Sequence, residues 1–208
     1  MNDYRRGGGI FLGRSDPPIE LPCIENCRRL VNTIGPLKPL AVYSSPLGRC
    51  RQTLDCVGEA VELPPATLDG RLVEINYGSL EGLTVTSARA HFTEFFERLA
   101  AGLDPRFPEG GENTDDVSRR VQEFAAERWA GASEHSLTCT HNVVLRCLLG
   151  EALGVPREHW YRLQIPHLEP FVFVQTREHG LFVDVPQECM RHVFQDFAIQ
   201  LVESTCRS

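Results

Sequence analysis

The chain has 208 residues, which at roughly 150 residues per domain reads as one domain spanning 1–208. Apolar residues make up 42% and charged residues 24%, a mix that buries a sizeable core and excludes disorder, collagen and coiled coil as the main description. The net charge of −7 offers no general polyanion surface, so no nucleic-acid partner is expected and any anion site must be local. The eight cysteines include no Cys-x-x-Cys pair and most lie in apolar periodic segments, the pattern of free thiols in a cytoplasmic protein. Met1 to Gly9 lacks signal-peptide chemistry, and no run of about 18 apolar residues occurs anywhere, so no membrane partner is expected.

Residues 7–22 are rich in Gly and Pro and read as an irregular loop, followed by a helix over Cys23 to Ile34 that Gly35-Pro36 closes. Leu40 to Tyr43 is a short buried strand. It runs into a helix with Ser45 as N-cap and Pro46 at the first helical position, whose inner stripe is Leu47, Cys50, Leu54, Val57 and Val61. Residues 64–84 are loop-rich, and Thr86 to Ala101 carries a helical face of Phe92, Phe95, Phe96 and Leu99. About 83–112 therefore reads as a small helical cap. Asn113 starts a helix with Val117, Val121 and Phe124 inward, and Ser136 to Thr140 is a buried strand. His141-Asn142 leads into a helix over Val143 to Leu153, stopped by Gly154-Val-Pro156. Phe171 to Gln175 and Leu181 to Val185 are strands joined by a tight turn, and Gln187 to Glu203 is an amphipathic helix. Strands alternating with helices give an α/β fold: three layers, a doubly wound and mostly parallel sheet, helices on both faces.

Two strand-to-helix junctions, Tyr43 to Arg49 and Thr140 to Asn142, should lie at the carboxyl ends of their strands, where parallel sheets open their ligand crevice. Helix N-termini there present free amides to an anion. Arg49 is either a fixed positive charge for that anion or a solvated helix arginine, and His141 is either a packed junction residue or a functional one. No His-x-His, His-x-x-x-His or Asp-x-Asp cluster and no Walker-type glycine loop occurs, so neither a metal nor a nucleotide cofactor is expected.

Ser44-Ser-Pro-Leu-Gly-Arg49-Cys-Arg-Gln-Thr53, Glu74-x-x-x-Gly78-x-x-Glu81-Gly82, Phe107-Pro-x-Gly-Gly-Glu-Asn113 and Thr140-His141-Asn-Val-Val-Leu-Arg-Cys-Leu-Leu-Gly150 follow one another in this order. Together they resemble the histidine phosphatase, or phosphoglycerate mutase-like, family. The His141 helix is particularly similar to that of fructose-2,6-bisphosphatases, and Phe11-Leu-Gly13-Arg-Ser-Asp16 looks like the loop after the family's first motif. The resemblance implies hydrolysis of a phosphomonoester of a small metabolite through a phosphohistidine. By position it makes Arg49, His141 and Asn142 phosphate-binding, His141 also a catalytic stabiliser of charge on the transferring group, and Glu74 the proton donor to the leaving oxygen. Gly13, Arg14 and His167 stand as pocket-edge residues, while Glu81 and Glu112 read as loop and helix-start structure. Arg14, Arg89, Arg98 and Arg106 either select an acidic substrate or are solvated.

One motif is absent. The family's Arg-His-Gly, which carries the nucleophile at the end of a first central strand, precedes a Gly-x-x-Asp by roughly fifteen residues, and counting back from Asp16 reaches Met1. Arg5-Arg6-Gly7 lies too close to Phe11 to replace it, and His91, His135, His159, His179 and His192 read as surface residues. The expectation is an N-terminally truncated phosphatase without its first strand, inactive as it stands. A phosphate-binding scaffold and a mutase-type phosphotransferase are the alternatives, and the short 83–112 excursion argues against the mutase. A missing central strand leaves inner sheet edges unpaired, so the chain should self-associate through the gap. A soluble monomer with two-state denaturant unfolding, seen by analytical ultracentrifugation and urea titration, is the opposite outcome.

Overall fold

A computed structural model of the chain describes residues 9–19, 27, 30–130, 135–163, 165–176 and 180–184. The expected helix over Gln187 to Glu203, most of Cys23 to Arg29, the turn at 177–179 and the residues Arg5-Arg6-Gly7 lie outside them. Three strands, β1 (Ala41–Ser44), β2 (Ala66–Leu68) and β3 (Ser136–Cys139), pair parallel in the order β2-β1-β3. Val42 stands opposite Ala66 on one side and Leu137 on the other. β2 falls within the stretch expected to be loop. All three of its residues are exposed, so it carries no buried apolar run to betray it, and only pairing with β1 makes it a strand.

Helices cover both faces of this sheet. Side chains alternate along a strand, so Tyr43 meets Phe124 edge-on at 5.4 Å while Val42 turns to the other face. Phe124 belongs to α4 (Thr114–Arg128), and Val57, on α1 (Gly48–Gly58), packs with Leu30, Ile34 and Leu137 on the face away from α4. The N-terminus of α4 is as expected: the Asn113 side chain accepts from the Asp116 amide while Asp116 accepts from the Asn113 amide, closing a capping box. The N-terminus of α1 is not. It starts at Gly48 with Leu47 as N-cap and no side-chain cap of its own. Ser45 Oγ instead accepts from the Leu47 amide at 3.3 Å, one turn too early to cap the helix.

The larger core joins α4 and α5 (Asn142–Ala152) to the segment from Ile75 to Leu80 and to α2 (Val85–His91) and α3 (Thr93–Ala100). One continuous helix was expected over Thr86 to Ala101, but it breaks at Phe92, whose φ of −123° and ψ of 46° are not helical. The break lets Phe95 bury itself against Phe107 at 4.7 Å and Phe96 lean on Phe11 at 6.2 Å. The last strands, β4 (Val172–Thr176) and β5 (Gly180–Asp184), form an antiparallel pair of their own. Among the described residues β3 is therefore paired on one side only. No described helix is long and apolar enough to cross a membrane.

Segment 74–82 is stitched to 107–112. Ser79 N donates to Pro108 O at 3.2 Å and Glu112 N donates to Asn76 O at 2.9 Å. Gly78 sits at φ +54° with the carbonyl of Pro108 where a Cβ would go, while Gly82, at φ +79°, faces open space. Gly82→Ala should cost only the left-handed penalty of about 1–2 kcal/mol. Gly78→Ala should lose a further ~1–3 kcal/mol, because a backbone oxygen has to move. Urea titration of the two variants side by side checks the difference, and equal losses would mean that the 107–112 loop yields freely.

Candidate phosphoryl-transfer site

Both junctions singled out in the sequence end at the same place. β1 and β3 are parallel neighbours, with Ser44 opposite Cys139, so the residues that follow them emerge side by side. Arg49, in the first turn of α1, donates from Nε to His141 Nδ1 at 3.2 Å. An arginine can only donate, so Nδ1 is the acceptor and the imidazole proton sits on Nε2, which lies 2.8 Å from Ser45 Oγ. His141 is 7% exposed and Ser45 fully buried. The Cys50 thiol lies 3.5 Å from His141 Nε2. Its hydrogen bond with Cys139 and its burial raise its pKa far above the usual range, so it is a neutral neighbour of the imidazole.

The remaining guanidinium nitrogens of Arg49 are also held. Nη2 donates to Gly13 O at 2.7 Å and Nη1 to Ser15 O at 2.8 Å. Asp16 accepts from the amides of Gly48 at 2.5 Å and Arg49 at 3.4 Å and lies 3.7 Å from Arg49 Nη1. A residue far away in sequence thus caps α1, in place of Ser45. Asp16 is the site residue that the sequence left unassigned; its only signal was its place in Gly13-Arg-Ser-Asp16.

Glu74 is 6% exposed. Its Oε1 accepts from the amide of Ile75 at 3.0 Å and that of Val143, in the first turn of α5, at 3.2 Å. Burial pushes its pKa upward, opposed by those two amides and by the charges of Arg49 and Arg146. Glu112 shows the contrary balance. Burial also disfavours its charge, but hydrogen bonds and charge from Arg120 outweigh it and hold the carboxyl below the usual range. Arg120 additionally donates to the carbonyl of Glu74 at 3.3 Å, so one arginine neutralises Glu112 and braces the backbone of Glu74.

The other expected residues divide. Gly13 takes part through its carbonyl. Asn142 opens α5, and its side-chain Nδ2 gives one of its two N–H groups to Ile165 O at 3.2 Å. Arg14 is paired with Glu112 at 3.1 Å. His167 is exposed on the turn before Glu169; surrounding atoms depress its pKa while the Glu74 carboxylate works the other way, which puts it within electrostatic reach of that acid. Arg89 stacks on Phe96 at 5.1 Å and Arg106 pairs with Asp116. No group of three or more His, Cys, Asp or Glu among the described residues is placed to hold a metal. Cys50, Cys139 and Cys147 are free thiols.

Residues 3–185 match the histidine phosphatase superfamily (branch 1). The chain belongs to this family. It is 29% identical over 157 residues to the probable phosphoglycerate mutase GpmB of Yersinia pestis (strain Pestoides F), covering 74% of this chain and 71% of that one. Among solved structures, mycobacterial hydrolase 1 superposes with a TM-score of 0.73 at 25% identity, over 89% of this chain and 92% of its own. The native mycobacterial glucosyl-3-phosphoglycerate phosphatase does so with a TM-score of 0.63 at 28% identity, over 79% and 80%. Membership supports a phosphatase-type function for the histidine phosphatase described here.

The upward pKa of Glu74 has a sign that can be tested. Below its ordinary value of 4.5 the carboxyl is protonated folded or unfolded and costs nothing. As pH rises, the unfolded chain releases the proton first, so stability falls until the folded pKa is passed. Glu74→Gln should therefore raise Tm by about 2–4 °C at neutral pH and by nothing near pH 4.5. Thermal melts across this range check it, and a gap that widens toward acid would show that Glu74 is held as a stabilised carboxylate.

Proposed function

We propose that this protein is built to hydrolyse a phosphomonoester of a small metabolite, with Arg49 and His141 holding the phosphoryl group and Glu74 supplying the proton to the leaving oxygen. The observation that carries the reading is the juxtaposition of the Arg49–His141 pair with a buried carboxyl whose pKa is raised. Phosphoryl transfer needs little from the protein beyond fixed positive donors around the equatorial oxygens and an acid on the leaving side. The Arg49 guanidinium is the positive donor, and His141 Nε2–H adds a neutral one when an anion replaces Ser45 Oγ as its acceptor. Glu74, whose pKa burial raises and a phosphate dianion beside it would raise further, is the acid.

In the phosphohistidine route a nucleophilic imidazole attacks phosphorus and the bond to the leaving oxygen breaks as Glu74 protonates it. Water then attacks the phosphohistidine, Glu74 takes up its proton and inorganic phosphate leaves. Beside Arg49 the described residues hold one imidazole, that of His141, and it is spent on Arg49 and Ser45. Among the described residues β3 is paired on one side only. The single imidazole also favours a second reading, a binding protein that holds a phosphorylated ligand without turning it over. A mutase reading draws on the name of the Yersinia relative. Free thiols at Cys50, Cys139 and Cys147 support a reducing compartment such as the cytoplasm.

Titration calorimetry with inorganic phosphate and a p-nitrophenyl phosphate assay test the proposal. The 208-residue chain should bind phosphate, Arg49→Ala and His141→Ala should each weaken binding by roughly ten- to a hundredfold, and turnover and acid-labile phosphohistidine should be negligible. Equal phosphate binding by all three proteins overturns the site. Robust turnover abolished by His141→Ala would make His141 the nucleophile instead.

A further inference from the structure

We infer that Glu81 is a positioning residue for Arg49, acting through the loop from Gly13 to Asp16; this rests on Arg49 and His141 being the phosphoryl-holding pair. Glu81 Oε1 accepts hydrogen bonds from the amides of Gly13 at 2.8 Å and Ser15 at 3.0 Å. The carbonyls of the same two residues accept the two terminal nitrogens of Arg49, Gly13 O from Nη2 at 2.7 Å and Ser15 O from Nη1 at 2.8 Å. Each of the two loop residues is thus held by Glu81 at its nitrogen and by Arg49 at its oxygen. A guanidinium is planar, so fixing both ends of its fork fixes the direction of the third donor. That donor, Nε–H, points at His141 Nδ1.

Carbonyl dipoles orient the guanidinium without cancelling its charge, and two of its five N–H groups remain for an incoming anion. The loop has no room to choose another path. A Cβ at Gly13 would strike the carbonyl of Ile75 and come within 2.9 Å of Glu81 Oε2 and of the Tyr77 ring. Glu81 also ends the short turn Gly78–Leu80, in the segment that carries Glu74, so the proton donor and the phosphoryl-binding arginine are tied to one stretch of backbone. The interaction uses Oε1 as an acceptor of two amides, while Oε2 is buried with no hydrogen-bond partner. A neutral amide oxygen can accept the same two bonds, so Glu81→Gln should preserve the arrangement and Glu81→Ala should lose it.

Two measurements on the 208-residue chain test this. The first is the Nε–H resonance of Arg49 in a nitrogen-15 spectrum, assigned by its loss in Arg49→Lys. Glu81→Ala should shift or broaden it and Glu81→Gln should leave it in place. The second is inorganic phosphate affinity in a double-mutant cycle. Glu81→Ala should weaken binding about tenfold in the native background and less than twofold in Arg49→Ala, because its effect passes through the guanidinium. Should Glu81→Ala not fold, Glu81→Asp, which withdraws the carboxylate by one methylene, replaces it with the same expectations. An unmoved Arg49 resonance, a loss of equal size in both backgrounds, or damage by Gln equal to that by Ala would each overturn the inference. Failure of the phosphoryl reading shows elsewhere, as Arg49→Ala binding phosphate as well as the native chain.

Discussion

Much of the site depends on how the guanidinium of Arg49 is restrained. Its donors reach His141 on the β3–α5 junction and two carbonyls in the loop from Gly13 to Ser15, and its amide is capped by Asp16. Three stretches that are remote in sequence converge on one planar cation. Because the fork is rigid, a shift in any of the three tilts the others. The imidazole is set by the same bond: accepting from Arg49 at Nδ1 forces its proton to Nε2 and toward Ser45. The Cys50 thiol, 3.5 Å from Nε2, is held neutral beside the ring.

Two glutamates show how the fold separates acid from carboxylate. Glu74 and Glu112 both lie where burial disfavours charge. Glu112 receives Arg120 and Arg14 and stays ionised, serving as a structural anion that also accepts from the amide of Asn76 at 2.9 Å. Glu74 receives only backbone amides at hydrogen-bond distance and is pushed toward the protonated form. Opposite shifts on neighbouring carboxyls are how acid–base roles are divided in enzymes. The stitching of 74–82 to 107–112 keeps the two environments apart, with Arg120 braced between them.

The parallel trio β2-β1-β3 brings the two junctions together, and the antiparallel pair β4-β5 stands as a second sheet. The register of β1 with β3 matters more to the site than strand length, since strands of only four residues suffice to align Ser44 with Cys139. β3 is half exposed along most of its length, unlike the buried strand read from its apolar residues, because among the described residues one of its sides has no strand against it. A free edge of backbone donors and acceptors is a place for another strand.

A good part of the site could be read in the sequence because its signals are local. The apolar stripe of α1, the capping box at Asn113, the glycine stop at Gly154 and the motifs around Arg49, Glu74 and His141 are all fixed by neighbours a few residues away. What escaped was whatever depends on distant partners. β2 is a strand only because β1 lies beside it, and the helix over Thr86 to Ala101 breaks because burying Phe95 against Phe107 outweighs one more helical turn. Asp16 and Glu81 stand in motifs that do not show what they bind, and Ser45, read as an N-cap, faces His141 instead. Periodicity determined an α/β chain with an arginine and a histidine at two strand-to-helix junctions, and the resemblance of its motifs to a family added the acid at Glu74. Tertiary structure decided which nitrogen of His141 bears the proton, which glutamate has its pKa raised and what aims Arg49, because hydrogen-bond geometry and burial exist only once remote segments meet.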